Sequence, residues 1–337
     1  MESAVTSRAG QVQEAEAAVA LVGEADVRAA ARRLSGQVLR TPLLPCEELS
    51  GELGCRVLLK AENLQHTGSF KARGALNALL ARRERGLALD AVVTFSAGNH
   101  GAALAFAGRR LGAAVTVFMP PRAVPAKVDA VRRQGGRPVL TEDFVGAARE
   151  FAERGGLPLL HPFDDLDVIA GQGTVGLEIL QDADWVDTVV VPIGGGGLVS
   201  GLGATVAALS PATHVVGVEP ALACTLAHAV RSGAPAALEI PPASLADGLN
   251  APFAGAHTYA HVRRHVHHLV QVTEDGIRAA WALLVRETRL LVEPSAAVGL
   301  AALRAGAVCV PAGGTVVLVI SGGNADLEAL AAAVVAC

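Results

Sequence analysis

The chain has 337 residues, of which 51% are apolar and 3% aromatic, and its formal net charge is −4. That length accommodates two domains or one large one, with a core packed by Ala, Val and Leu rather than by rings. The charge balance excludes the basic surface of a nucleic-acid binder, and no apolar run reaches the length of a membrane span. Cys46, Cys55, Cys224, Cys309 and Cys337 show neither a CxxC nor a paired spacing. Reduced thiols in a cytoplasmic protein are expected, not a disulfide scaffold or a zinc site. The first 22 residues lack the basic start and apolar core of a signal peptide and read as a disordered or loosely docked extension.

Glu24 to Leu34 carries helical spacing, with Val27, Ala31 and Leu34 on one side. Thr41-Pro42-Leu43-Leu44-Pro45 reads as an extended break, and Glu47 to Leu53 as a short helix closed by Gly54. Arg56 to Lys60 is a predicted strand. It feeds a polar turn containing Thr67-Gly68-Ser69, after which Ala72 to Arg82 reads as helix. Lys71 thus stands in the first turn of a helix. The positive end of the helix dipole opposes a cation there and lowers the cost of a neutral amine. Such an amine is a nucleophile toward carbonyls. The alternative is a solvated lysine at a helix start.

Ala91 to Phe95 is a buried strand that runs into Ser96-Ala97-Gly98-Asn99-His100-Gly101 and a helix ending near Leu111. Unsatisfied N–H groups at such a turn suit an anion; Asn99 and His100 also read as ordinary residues of a capped first turn. Val115 to Phe118, Pro138 to Leu140 and Leu157 to Leu160 are further strands, alternating with helices at Lys127 to Gln134 and Asp143 to Arg154. Residues 89–165 therefore read as a small α/β domain with a parallel sheet, inserted into a larger domain made of 1–88 and 166–337.

Asp167 to Leu180 brings Gly171-Gln172-Gly173-Thr174 and then a helix. Thr188 to Ile193 is a strand, followed at once by Gly194-Gly195-Gly196-Gly197-Leu198 and a helix to about Leu209. Four successive glycines let backbone N–H groups fold around a phosphate; a flexible turn is the alternative. A dinucleotide fingerprint fits poorly, because the next strand ends at Glu219 with Pro220 behind it, a poor ribose site. Residues 232–258 are rich in Pro, Ala and Gly and read as loop. His257, His261, His265, His267 and His268 are irregularly spaced with no interleaved carboxylates, which predicts solvated histidines rather than a metal site. Leu269 to Val272 is a strand, Thr273 caps a helix from Glu274 to Thr288, and Glu293-Pro294-Ser295 opens another, with Glu293 favoured there by the dipole. Thr315 to Ile320 is the last core strand and ends in Ser321-Gly322-Gly323-Asn324.

Four of these segments, in this order, resemble the signatures of one family. Asn63-Leu64-Gln65 with Gly68-Ser69-Phe70-Lys71-Ala72-Arg73-Gly74-Ala75 resembles the cofactor-lysine segment of the threonine/serine dehydratase (ammonia-lyase) and serine racemase family, which are fold-type II pyridoxal-phosphate enzymes. Ser96-Ala97-Gly98-Asn99-His100, Glu293-Pro294-Ser295 and Ser321-Gly322-Gly323-Asn324 resemble the second, third and fourth signatures, and Ala246-Asp247-Gly248-Leu249 a short motif near the active site. The resemblance implies an α/β fold of tryptophan synthase β type, with two open, twisted, mostly parallel sheets flanked by helices and the smaller domain mobile. It implies pyridoxal 5′-phosphate joined as a Schiff base to Lys71 beside Phe70. The phosphate would lie at Gly194, Gly195, Gly196, Gly197 and Leu198, and the ring near Asn99, Glu293 and Ser321. The carboxylate of an amino-acid substrate would lie at Ser96, Ala97, Gly98, Asn99 and His100. In some members the equivalent of Glu219 joins an Asp six residues later in a metal site. Thr225 stands there in this chain, so no metal is expected, and Glu219 reads equally as a structural residue.

Ser321 resembles the residue that faces the pyridine nitrogen. A hydroxyl there does not hold a full charge on the ring, which becomes a weaker electron sink. That suits β-elimination of water from a β-hydroxy amino acid such as L-threonine or L-serine to a 2-oxo acid and ammonia, with Lys71 as the base; 3-hydroxyaspartate and bulkier β-hydroxy amino acids carry the same reacting atoms. Racemisation of serine or aspartate is the alternative on the same fold. It needs a second acid/base, which in serine racemases is a serine directly after the Ser96 equivalent; Ala97 carries no proton to give. Because the chain ends at Cys337 without an amino-acid-sensing domain, a catabolic or specialised form is expected. The expected partners are the substrate and further copies of the chain, as a dimer or tetramer in the cytoplasm, with neither nucleic acid nor membrane. Two readings of other classes are a cofactor-binding protein without turnover and a nicotinamide oxidoreductase built on Gly194 to Gly201. The lysine segment argues against the second.

Overall fold

Apolar runs between glycine and proline breaks fold into strands, and the amphipathic stretches between them into helices. A computed structural model describes residues 19–335. It contains α1 (Glu24–Leu34), β1 (Leu43–Pro45), α2 (Glu47–Leu53), β2 (Arg56–Ala61), α3 (Lys71–Glu84), β3 (Ala91–Phe95), α4 (Asn99–Leu111) and β4 (Ala114–Met119). Next come α5 (Pro125–Arg133), β5 (Arg137–Leu140), α6 (Phe144–Gly155), α7 (Leu166–Asp182), β6 (Thr188–Pro192), α8 (Gly197–Leu209) and β7 (His214–Pro220). The chain continues with α9 (Thr225–Ser232), α10 (Ala256–His265), β8 (His268–Val272), α11 (Glu274–Thr288), α12 (Pro294–Arg304), β9 (Thr315–Ile320) and α13 (Leu327–Val335).

Six strands form one sheet in the order β1-β2-β9-β6-β7-β8, parallel except for β1, and three form a second, parallel sheet in the order β3-β4-β5. Parallel strands covered on both faces need continuous apolar runs. Val57-Leu58-Leu59, Val189-Val190-Val191 and Val316 to Ile320 supply them, all buried. This is the expected two-sheet α/β architecture. No helix among the described residues is long and apolar enough to cross a membrane.

Several local readings are corrected. Leu43–Pro45 is an antiparallel edge strand, with Leu44 opposite Leu59, rather than a break; an edge tolerates neighbouring prolines. Leu157 to Leu160 gives only an isolated bridge between Leu159 and Val93, because Pro158 has no N–H to extend a ladder. Gly171-Gln172-Gly173-Thr174 lies inside α7, not ahead of it. Each internal glycine costs a helix ~1 kcal/mol, and close packing offsets it. A Cβ on Gly171 would fall 2.7 Å from Gly74 Cα, and one on Gly201 would fall 2.1 Å from the Ile169 carbonyl oxygen. Helices α3, α7 and α8 therefore meet backbone to backbone.

The histidines are not uniformly solvated. His261 is fully buried; its Nε2 accepts the Val22 N–H at 2.8 Å, and its Nδ1 lies 2.7 Å from the His257 carbonyl. Val22 itself is buried, so the last part of the expected N-terminal extension is docked, while residues 1–18 lie outside the described ones. His267 stacks on His214 with ring centroids 4.8 Å apart.

Behind α3 lies a buried ion layer. Arg73 donates to both oxygens of Glu62 at 2.7 and 2.8 Å and to Glu178 of α7 at 2.7 and 2.9 Å. Lys60 donates to Glu178 at 2.6 Å and to the Thr41 carbonyl at 2.7 Å. Two cations meet two carboxylates. Burial alone would raise the Glu62 pKa, but the Arg73 guanidinium holds it below the usual carboxylate range.

Candidate active site

Ala61 ends β2, and two short 3₁₀ turns bring the chain to Lys71, the first residue of α3. The Phe70 N–H donates to the Ser321 carbonyl at 3.1 Å, which ties the start of α3 to the end of β9. Lys71 Nζ donates to the Pro162 carbonyl at 2.9 Å and makes no ion pair among the described residues. The lysine keeps partial exposure along its length while its amine sits deep. Burial lowers its pKa to about 8, against a raising influence from Glu293. A fraction of the amine is therefore neutral and nucleophilic near neutral pH.

Gly194 to Gly197 join β6 to α8. Gly196 has φ 89°, which glycine adopts at little cost. The protein packs tightly on this loop: a Cβ on Gly195 would fall 2.2 Å from the Phe163 ring, and one on Gly194 would fall 2.9 Å from Leu249 Cα. Gly194, Gly195, Gly196, Gly197 and Leu198 also line a cleft. The first-turn N–H groups of this 13-residue helix have no acceptor within the helix. That donor set, with no acidic side chain in the loop, fits a phosphate.

The same cleft is lined by Phe70, Lys71, Ser96, Ala97, Gly98, Asn99, His100, Glu293 and Ser321. One space thus gathers every site residue expected from the sequence. Parallel strands cause this, because the turns after them open toward the same side. Ser96 Oγ accepts the N–H groups of Gly98 and Gly101 at 3.1 Å each, so it shapes the turn. Ala97 is exposed to the cleft and Ser321 is buried at its floor. Asn99 Nδ2 donates to Glu293 Oε1 at 2.7 Å, and Asn99 Oδ1 accepts from Asn324 Nδ2 at 2.9 Å. Burial pushes the Glu293 carboxyl up and Lys127 pulls it down. His100 is held well below the usual histidine range by burial, then by the charge of Lys71, so its ring is neutral.

Both ring nitrogens of His100 and Ser295 Oγ are buried without a hydrogen-bond partner. Each such atom costs ~1–3 kcal/mol. Their convergence marks a cleft completed by a polar ligand, and a phosphorylated ring aldehyde offers groups to match them. Glu219 stands apart. Its two oxygens accept the Leu226 and Ala227 N–H groups at 2.8 and 2.9 Å, and burial raises its pKa to about 7.

Sequence reasoning passed over Lys127, Phe144, Phe163 and Ser295 as members of the cleft. Lys127 offered the cue used at Lys71, a lysine in the first turn of a helix, here α5. It is 5% exposed, donates to Asp247 Oδ2 at 2.6 Å and lies 3.7 Å from Glu293 Oε2.

The sequence profile described as pyridoxal-phosphate dependent enzyme matches residues 34–322. The chain belongs to this family. Pyridoxal phosphate is accordingly its cofactor, and the glycine loop and lysine amine offer what its two ends require. Among similar proteins, an L-threonine ammonia-lyase of Geobacter sulfurreducens is 41% identical over 93% of this chain and 77% of its own length. An L-threo-3-hydroxyaspartate ammonia-lyase of a Pseudomonas species is 38% identical over 90% of this chain and 95% of its own length. The crystal structure of a T.th. threonine deaminase superposes with a TM-score of 0.84 at 41% identity, covering 90% of this chain and 99% of that one.

Proposed function

We propose that this chain catalyses the β-elimination of water from a β-hydroxy amino acid, releasing a 2-oxo acid and ammonia. The observation that carries this reading is the Lys71 amine, unpaired and partly neutral, opening onto a glycine-cradled cleft. Pyridoxal phosphate, when bound, supplies an electron sink for the α-carbon. Gly194 to Leu198 would hold its phosphate, Phe70 and Lys71 would flank its aldehyde end, and Ser321 would meet the ring nitrogen with a hydroxyl. Asn99, held by Glu293 and Asn324, would orient the ring, and the Ser96 to His100 turn would receive the substrate carboxylate. An amine with a pKa near 8 is matched to taking the α-proton near neutral pH. Ala97, where the family resemblance would put the acid of the opposite face, offers only a methyl group. That favours elimination over racemisation, which needs a second proton donor.

The same reading takes residues 89–165 as a small mobile domain, whose opening would break the Lys127–Asp247 contact. A cytoplasmic location is supported by the free thiols of Cys46, Cys55, Cys224 and Cys309. Assembly as a dimer or tetramer follows from the family resemblance.

The test incubates the holoenzyme separately with L-threonine and L-serine and quantifies 2-oxo acid and D-amino acid. Oxo acid without D-isomer is expected, with Lys71→Ala slower by about 10³-fold. D-isomer in excess would replace the reading with racemisation.

A further inference from the structure

Phenylalanine is scarce here, with 8 in 337 residues. Four of them, Phe70, Phe95, Phe144 and Phe163, nevertheless line the cleft. Phe95, Phe144 and Phe163 belong to one continuous aromatic patch completed by Phe253 and His161. Phe95 has its ring centroid 6.4 Å from Phe144, 6.5 Å from Phe253 and 5.0 Å from His161. Phe163 packs 4.5 Å from His161 and 5.8 Å from Phe253. His161 brings no charge to this patch: its Nδ1 accepts the Asp164 N–H at 2.9 Å, and burial lowers its pKa to about 4. Phe144 opens α6 and is only half-buried, so part of its ring is free. Phe95 immediately precedes Ser96, so the patch adjoins the turn that would take the α-carboxylate.

The cations of the cleft are committed elsewhere. Lys71 is the amine of the reaction. Lys127 already meets Asp247 at 2.6 Å and Glu293 at 3.7 Å. Arg149, farther along α6, is exposed and does not line the cleft. A second carboxylate on the substrate would meet rings and two carboxylates, with no uncommitted cation lining the cleft among the described residues.

We propose that Phe144, backed by Phe95 and Phe253, is the wall that selects the β-substituent. It favours an apolar one, the methyl of threonine or a larger hydrocarbon group, and rejects a β-carboxylate such as that of 3-hydroxyaspartate. The proposal rests on the elimination reading above and names its substrate class. An extra methyl group in an apolar pocket is worth ~10-fold in discrimination or more. An ionised carboxylate pressed on the same surface loses its hydration without a partner, a far larger penalty.

The test measures kcat/KM of the holoenzyme for L-threonine, L-serine and L-threo-3-hydroxyaspartate. Threonine is expected to exceed serine by ~10-fold and hydroxyaspartate by ~10²-fold or more. Phe144→Leu keeps that order. Phe144→Arg gives a β-carboxylate a planar partner and shifts the threonine-to-hydroxyaspartate ratio by ~10²-fold toward the diacid. Calorimetric binding of unreactive L-2-aminobutyrate and L-aspartate is expected to rank in the same order without turnover. Thermal melting and cofactor absorbance establish that each variant is folded and loaded. If Phe144→Arg does not fold, the wild-type and Phe144→Leu rankings decide. Wild-type enzyme that prefers hydroxyaspartate, or a folded Phe144→Arg with an unchanged ratio, overturns the wall and leaves the elimination reading standing. No oxo acid from any of the three substrates sinks the elimination reading itself, and the calorimetric ranking still decides the wall.

Discussion

The first turn of helix α3 carries two positively chargeable side chains two residues apart and treats them in opposite ways. Arg73 faces backward into Glu62 and Glu178, with four hydrogen bonds between 2.7 and 2.9 Å. Lys71 faces forward and finds one carbonyl oxygen. The same helix thus holds a compensated charge that fixes its place and an uncompensated one that is free to react. A buried ion layer made wholly of matched partners contributes little net stability but makes any single deletion costly. An amine denied such a partner gives up stability and gains nucleophilicity.

The comparison breaks most visibly at the back. Arg73→Met strands Glu62 in the core, and urea unfolding is expected to show a loss of about 3–5 kcal/mol. A loss under ~1 kcal/mol would mean that the layer is far better hydrated than its burial implies.

At the front the sign reverses. The folded pKa of Lys71, about 8, lies below the ordinary 10.5. Between those values the unfolded chain binds the proton more tightly, so the destabilisation is complete below pH 8 and fades as pH rises to 10.5. Lys71→Met in the cofactor-free protein is expected to stabilise it at pH 7. The gain is at most about 3 kcal/mol, reduced by whatever hydration the cleft supplies. Paired urea titrations at both ends of that window check this, and a variant less stable than wild type at pH 7 would show that the Pro162 contact outweighs the desolvation.

The smallest effect concerns Lys127, which lies between the two extremes. A double-mutant cycle of Lys127→Met and Asp247→Asn is expected to give a coupling of about 1 kcal/mol, held down because the Asp247 side chain is 37% exposed. A coupling near zero would leave Glu293 as the effective partner of Lys127.

Much of this site was legible because its parts are local. Lys71, Asn99, Gly194 to Gly197 and Ser321 each stand where a strand gives way to a helix or a turn, and that transition is visible in a few consecutive residues. Lys127 and Asp247 were not legible as a pair, since nothing within either segment says that 120 positions of chain fold back to join them. His261 escaped for the same reason, its partner Val22 lying 239 positions earlier. The glycines of α7 misled because local rules treat glycine as a helix breaker. Their use is set by other helices: α3, nearly a hundred residues upstream, for Gly171, and α8 for Gly173 and Gly176.

That glycine seam works as a gauge. Where α3 crosses α7, a Cβ on Gly74 would fall 2.3 Å from the Gln172 side chain, whose Oε1 accepts the Gly74 N–H, and 2.8 Å from the Val168 carbonyl oxygen. Backbone atoms set that spacing, so even alanine at Gly74 or Gly171 must wedge the helices apart. The Lys71 amine rides at the near end of one of them. Inherited variation at these two positions would reach the chemistry through alignment, without altering any atom that touches the reactants.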